Sequence, residues 1–266
     1  MHGMPSPPDV LLVGHGTRDP RGLEEFQQLA RMTAERLPDR AVESCLLELA
    51  PPDIAAGLGA LAARGAQRVV VQPLLLFAAG HLQHDIPRAV QSAAERHPGL
   101  EWWLGQALES QTELLELSAV RYRQALTNRA QVPDDDTLLI LVGRGSLDAA
   151  ASAEMVRFSR LRRQRTPVGR LEICYLAMSR PALNETLALA AGLPFRRIVV
   201  QPHLLFPGEL EETVRRSVEE WAALEPAENR PAKEWIVAPH LGPHKLLVDA
   251  IVARQALVHD ERLSED

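Results

Sequence analysis

The chain is written twice. "LLVGHGTRD" (11–19) returns as "LILVGRGSLD" (139–148), which sets His15 against Arg144. "CLLELAPPDI" (45–54) returns as "CYLAMSRPAL" (174–183), and "RVVVQPLLLF" (68–77) as "RIVVQPHLLF" (197–206). The pairs His15/Arg144, Cys45/Cys174 and Gln72/Gln201 all stand 129 residues apart. "EWWLGQAL" (101–108) also finds a partner in "EWIVAPHL" (234–241). Three anchors at one spacing mark a tandem duplication, so whatever fold serves one half must serve the other. The joint falls near "TNRAQVPDDDT" (127–137), a polar stretch that divides the chain into two domains, 1–130 and 131–266.

Each half alternates two kinds of segment. "DVLLVGHG", "AVESCLLEL", "QRVVVQPLLLF" and "LEWWLG" are short runs rich in Val and Leu that read as buried strands. Between and after them lie amphipathic windows of helical length: "GLEEFQQLARMTAERL", "PDIAAGLGALAARG", "HDIPRAVQSAAERH" and "SQTELLELSAVRYRQAL". Gly65 and Pro98 supply stop signals. Alternation of this kind predicts an α/β fold: two similar doubly wound domains, each a parallel sheet of about four strands flanked by helices, with a cleft between them.

Composition narrows the function. No run approaches the ~20 apolar residues of a membrane span, and "MHGMPSPPDV" lacks the basic-then-apolar order of a secretory signal. Cys45 and Cys174, each inside a strand-like run, read as buried free thiols in a cytoplasmic protein, too few for a metal–cysteine cluster. The formal charge of −6 argues against a nucleic-acid partner. The one basic run, "RFSRLRRQR" (157–165), is either a solvated helix face or a site for an anionic ligand.

In open parallel sheets ligands bind beyond the carboxyl ends of the strands. His15 sits just past the first strand, Glu48 at the end of the second, and His81 shortly after the third. His15, between Gly14 and Gly16, is either a polar loop residue or the first group of a reaction centre. Its loop has neither dinucleotide-fingerprint spacing nor the lysine of a phosphate loop. Glu48 is the one charged group in an apolar run; it either reaches solvent or serves as a ligand or proton acceptor. In "LLLFAAGHLQHDIPRAV" (74–90), His81 and His84 stand three apart, so one helical face can carry both, and Asp85 can orient an imidazole.

Together "GHGTRD", "LLELAPPDI" and "PLLLFAAGHLQHDIP" resemble the small class II chelatases, which insert cobalt or ferrous iron into sirohydrochlorin. Each half resembles one family unit. The resemblance implies that His15, Glu48 and His81 hold the metal and take protons from the macrocycle. The second half departs at each position: Arg144 for His15, Ala177 for Glu48, and, with one residue deleted, Glu209 for His81. One working centre in the first half and a degenerate second half are therefore expected. Arg144 is either neutral drift or a guanidinium for the rim of a substrate with eight carboxylates. Thr17, Arg18, His84, Arg144 and Glu209 are the candidate substrate contacts. His203 reads as a core or rim histidine inside a strand, and His240 and His244 as a spaced pair interrupted by Gly242 and Pro243.

The expected function is that of a sirohydrochlorin chelatase taking Co²⁺ or Fe²⁺, with Ni²⁺ admissible, and needing no organic cofactor. The alternative is a non-catalytic metal or tetrapyrrole carrier. The expected partners are a small tetrapyrrole substrate, no nucleic acid and no membrane, and the chain is expected to be a monomer with internal pseudo-two-fold symmetry.

Overall fold

The computed structural model describes residues 7–78, 80, 84–224 and 232–263, with side chains as far as 255. Strands and helices alternate throughout: β1 (Asp9–Gly14), α1 (Pro20–Arg36), β2 (Val42–Leu46), α2 (Ile54–Ala63), β3 (Arg68–Pro73), α3 (Ile86–Ala94), β4 (Glu101–Leu104) and α4 (Thr112–Ala125). The second repeat follows as β5 (Thr137–Gly143), α5 (Ala149–Arg163), β6 (Arg170–Tyr175), α6 (Leu183–Gly192), β7 (Arg197–Pro202), α7 (Glu209–Ala223), β8 (Glu234–Val237) and α8 (Lys245–Leu263). The strands form two four-stranded sheets, ordered β2-β1-β3-β4 and β6-β5-β7-β8, parallel throughout.

The two central strands explain why the pattern folds this way. Val10, Leu11, Leu12 and Val13 of β1 are fully buried, as are Leu138 to Val142 of β5. A strand apolar on both faces needs helices on both. On one face of the first sheet, Leu11, Val13, Val69 and Val71 pack with Ile54, Leu58 and Leu61 of α2 and Ile86 and Val90 of α3. The second sheet repeats this with Leu138, Ile140 and Val142 against Leu183 and Leu187 of α6 and Val214 and Val218 of α7. Capping is duplicated too. Asp19 accepts from the Arg21 N–H (2.9 Å) at the start of α1, and Asp148 from the Ala150 N–H (2.8 Å) at the start of α5.

The compact units do not follow the repeat joint at 130/131. One comprises residues 1–109 and 243–266, the other 110–242. Each unit thus takes its last helix from the other repeat: α8 belongs with β1–β4, and α4 with β5–β8. In the second unit the fastening of α4 is polar. Arg162 of α5, fully buried, donates through Nε to Ser118 Oγ (2.9 Å), through Nη2 to the Ser118 carbonyl (3.1 Å), and through Nη1 to Thr166 Oγ1. Its guanidinium lies 5.8 Å from the Tyr122 ring centroid, and Gln201 Nε2 donates to the Ser118 carbonyl at 2.8 Å. Burial lowers the Arg162 pKa to about 10.

The arginine run is therefore neither of the two things expected of it as a whole. Arg157, Arg160 and Arg163 are exposed, but Arg162 is an interior tie. Three further departures concern strand ends. β2 stops at Leu46, so Glu48 lies in the following loop; β3 stops at Pro73, so Leu74–Phe77 lie beyond it; and His203 follows β7 instead of lying within it. Cys45 and Cys174 are free and buried as expected, and burial raises both thiols, Cys45 beyond the usual range and Cys174 to about 12.

Candidate functional site

The carboxyl rim of the first sheet is built by two loops that continue the strand ladder past its end. The Leu47 N–H donates to the Gly14 carbonyl (2.8 Å) and the Glu48 N–H to the His15 carbonyl (3.1 Å). This fastening holds the loop after β1 against the loop after β2 and leaves no room for a side chain between them. Gly16 has φ +113°, and a Cβ there would lie 1.9 Å from the Glu48 carbonyl oxygen. Only glycine allows both the backbone conformation and the approach.

The side chains of these loops meet. His15 Nδ1 lies 3.4 Å from Glu48 Oε1, with the imidazole one-quarter and the carboxylate half exposed. An ion about 2.1 Å from each atom would see them at an angle of about 108°, which suits a first-row divalent cation. A neutral imidazole and a carboxylate are also the two groups best fitted to accept protons near neutrality. Among the described residues no third His, Cys, Asp or Glu completes a metal-binding group with them. His81, the third expected ligand, lies outside the described residues.

The other expected residues are placed as follows. Thr17 Oγ1 accepts from the Asp19 N–H (3.0 Å), so it shapes the entry to α1. Arg18 is exposed on the same loop. His84 is exposed just before α3 begins, followed by Asp85 at the N-cap position. On the second sheet Arg144 is exposed after β5, and Glu209 is exposed as the first residue of α7.

The second rim retains the backbone of the first and loses its chemistry. The Ala177 N–H donates to the Arg144 carbonyl (2.9 Å), and a Cβ on Gly145 (φ +93°) would lie 1.8 Å from the Ala177 carbonyl oxygen. Leu49 and Met178, equivalent positions, both adopt left-handed backbone at φ +72° and +59°. The imidazole and carboxylate have become Arg144 and Ala177, so the loop geometry was duplicated without its donors.

One pairing in the second unit is not evident from the sequence. Glu211, in the first turn of α7 and nearly fully buried, has Oε1 3.3 Å from His240 Nδ1 and 2.8 Å from Arg215 Nη2. The neighbouring His240 imidazole, and then Arg215, hold its carboxyl down at about 2 against the opposing effect of burial. The four-residue spacing to Arg215 was readable, but the partnership with His240 needs the end of β8 brought beside α7. His240 and His244 do not act as a pair: His244 Nδ1 accepts from the Leu246 N–H (3.1 Å) at the entrance to α8.

Comparison with known proteins bears on the family and the fold. The family model CbiX matches residues 9–125 and again 138–256. A sirohydrochlorin ferrochelatase of Priestia megaterium is 31% identical over 88% of this chain and 84% of its own length. A sirohydrochlorin cobaltochelatase of the same organism is 31% identical over 80% and 69%. Among solved structures, SirB from Bacillus subtilis with Fe³⁺ superposes with a TM-score of 0.80 at 25% identity, covering 93% of this chain and 94% of that one. With both repeats matched in tandem, the chain belongs to the CbiX family.

Proposed function

We propose that this protein is a sirohydrochlorin chelatase, a metal-inserting lyase that takes Co²⁺ or Fe²⁺ as one substrate and sirohydrochlorin as the other. The observation that carries the reading is the 3.4 Å approach of His15 Nδ1 to Glu48 Oε1 on the carboxyl rim of the first sheet. The reaction replaces two pyrrole N–H protons of the macrocycle by one divalent ion, so the site must present a cation and accept two protons. His15 and Glu48 supply both capacities, and His81 is assigned as the third group on the resemblance described above. Ligation by one imidazole and one carboxylate neutralises part of the ion's charge without the grip of a closed four-ligand site, so the ion can be handed over.

Thr17, Arg18, His84, Arg144 and Glu209 are assigned to the substrate. Arg18 and Arg144 offer guanidinium groups to the carboxylate periphery, and a local cation outweighs the net charge of −6 within a Debye length of ~8 Å. The donor set does not choose between cobalt and iron, and relatives of equal identity carry both names. Ni²⁺ fits the same donors. No helix among the described residues is long and apolar enough to cross a membrane. Two free buried thiols favour the cytoplasm as the compartment. We take the active species to be the monomer.

The test is direct. Purified protein mixed with sirohydrochlorin and Co²⁺ or Fe²⁺ should shift the absorbance spectrum to that of the metallated product, at a rate well above the uncatalysed one. Spectral evidence of tetrapyrrole binding without that acceleration would identify a carrier and sink the chelatase reading.

A further inference from the structure

Six large hydrophobic side chains among the described residues stand exposed: Leu49, Leu147, Met178, Leu189, Leu210 and Leu224. Singly exposed hydrophobics need no explanation, but four of these six lie on carboxyl rims, and three of the four on the rim of the second sheet. Leu147 follows β5 and is 85% exposed; Met178 follows β6 and is 53% exposed; Leu210 lies in the first turn of α7. The first two are held side by side, because the Ser146 N–H donates to Ser179 Oγ (3.0 Å) and Ser179 Oγ donates to the Ser146 carbonyl (2.8 Å). Met178 holds its place at φ +59°, a conformation that disfavours a bulky side chain, and its equivalent Leu49 does the same at +72°. Strained residues that present apolar side chains to solvent on a ligand rim call for a ligand.

The substitutions between the rims say which ligand. Where the first rim has His15, Arg18 and Glu48, the second has Arg144, Leu147 and Ala177. An imidazole and a carboxylate have gone, a leucine has replaced a cation, and the exposed guanidinium of Arg144 stands where the first rim has the imidazole. Arg180 on the same rim is taken up by Glu185. A surface apolar over its area with a cation at its edge is complementary to a flat macrocycle with apolar faces and a carboxylate periphery.

We propose that Arg144, Leu147, Met178 and Leu210 form a docking platform for the tetrapyrrole, the apolar side chains meeting a face of the macrocycle and Arg144 a peripheral carboxylate. The platform binds and orients the substrate and takes no part in metal ligation. It rests on the chelatase reading above and gives the second repeat a task of its own.

The test uses the full chain carrying Leu147→Ser with Met178→Asn. Both positions are exposed, and asparagine tolerates the left-handed backbone at 178, so folding is retained. Removal of each apolar contact is expected to weaken tetrapyrrole binding about tenfold. The double variant should therefore raise both the Kd for metal-free sirohydrochlorin, read by absorbance titration, and its KM by about a hundredfold, with kcat within a few-fold of wild type. An unchanged Kd and KM overturns the platform, as does a loss of self-association on light scattering with the Kd unchanged. If wild type binds sirohydrochlorin but does not metallate it, the chelatase reading fails while the titration still decides the platform.

Discussion

Gly16 and Gly145 give the account an internal control. Each precedes the same turn in its repeat, at φ +113° and +93°, and each faces a carbonyl oxygen across a gap that a methyl group would close to 1.9 or 1.8 Å. In Gly16→Ala the two loops must part by at least 1.1 Å, the difference between 1.9 Å and the 3.0 Å below which Cβ contacts do not occur. The left-handed backbone adds about 1–2 kcal/mol for any residue with a Cβ, so each variant should lose roughly 2–3 kcal/mol. That is a fall in Tm of about 5–10 °C for a unit of this size. The stability losses should match, because the geometry matches. The catalytic losses should not. Parting the loops at Gly16 separates His15 from Glu48, and a displacement of about 1 Å at reacting groups costs on the order of a hundredfold in rate. At Gly145 the same displacement moves Arg144 against Ala177, so the effect belongs in KM, with kcat within about threefold. Thermal unfolding by circular dichroism and initial rates of metal insertion measure both. If kcat falls equally in the two variants, or survives in Gly16→Ala at matched Tm loss, the assignment of chemistry to the first rim is refuted.

Other consequences concern the second unit. Burial, with Arg162 nearby, pushes the His203 imidazole down to about 3 from 6.5. Its folded pKa is depressed, so its contribution is fully present above pH 6.5 and is lost by roughly 1 kcal/mol per pH unit as pH falls from 6.5 towards 3. His203→Leu, which restores the residue that Leu74 supplies in the first repeat, should flatten the urea midpoint between pH 6.5 and 4; an unaltered slope would show that this imidazole is not the acid-sensitive group. The buried Arg162 predicts an asymmetry. Ser118→Ala with Thr166→Val leaves the guanidinium short of acceptors and should cost about 2–4 kcal/mol, whereas Arg162→Met removes the charge itself and should cost less. Denaturant titration that gives the opposite order would contradict the interior tie.

The duplication was the legible part of the fold. Matched apolar runs located the eight strands of the described residues; the caps at Asp19 and Asp148 went unread, although capping is a local interaction between neighbours in sequence. The meeting of His15 and Glu48 was legible too, since strand order places the loops after β1 and β2 on one rim. What the sequence hides is pairing at a distance. An amphipathic pattern shows that α4 has an apolar face, but not which sheet that face will cover, so the compact units depart from the repeat boundary. Arg162 was unreadable for the same reason: in a run of five arginines nothing local marks the one that reaches Ser118 of α4, 44 positions away. The left-handed backbone at Leu49 and Met178 has no residue signature, because neither is a glycine or an asparagine. The pairing of Glu211 with His240 joins residues twenty-nine positions apart that only the β7–α7–β8 connection brings together.

The central claim is that the first rim performs metal insertion and the second does not. The most direct measurement is kcat for Co²⁺ insertion into sirohydrochlorin by His15→Ala and Glu48→Gln, set beside wild type with sirohydrochlorin binding measured in parallel. The account predicts that both variants bind the tetrapyrrole within a few-fold of wild type, while kcat falls by at least a hundredfold, towards the uncatalysed rate. Retention of wild-type kcat by either variant would contradict it.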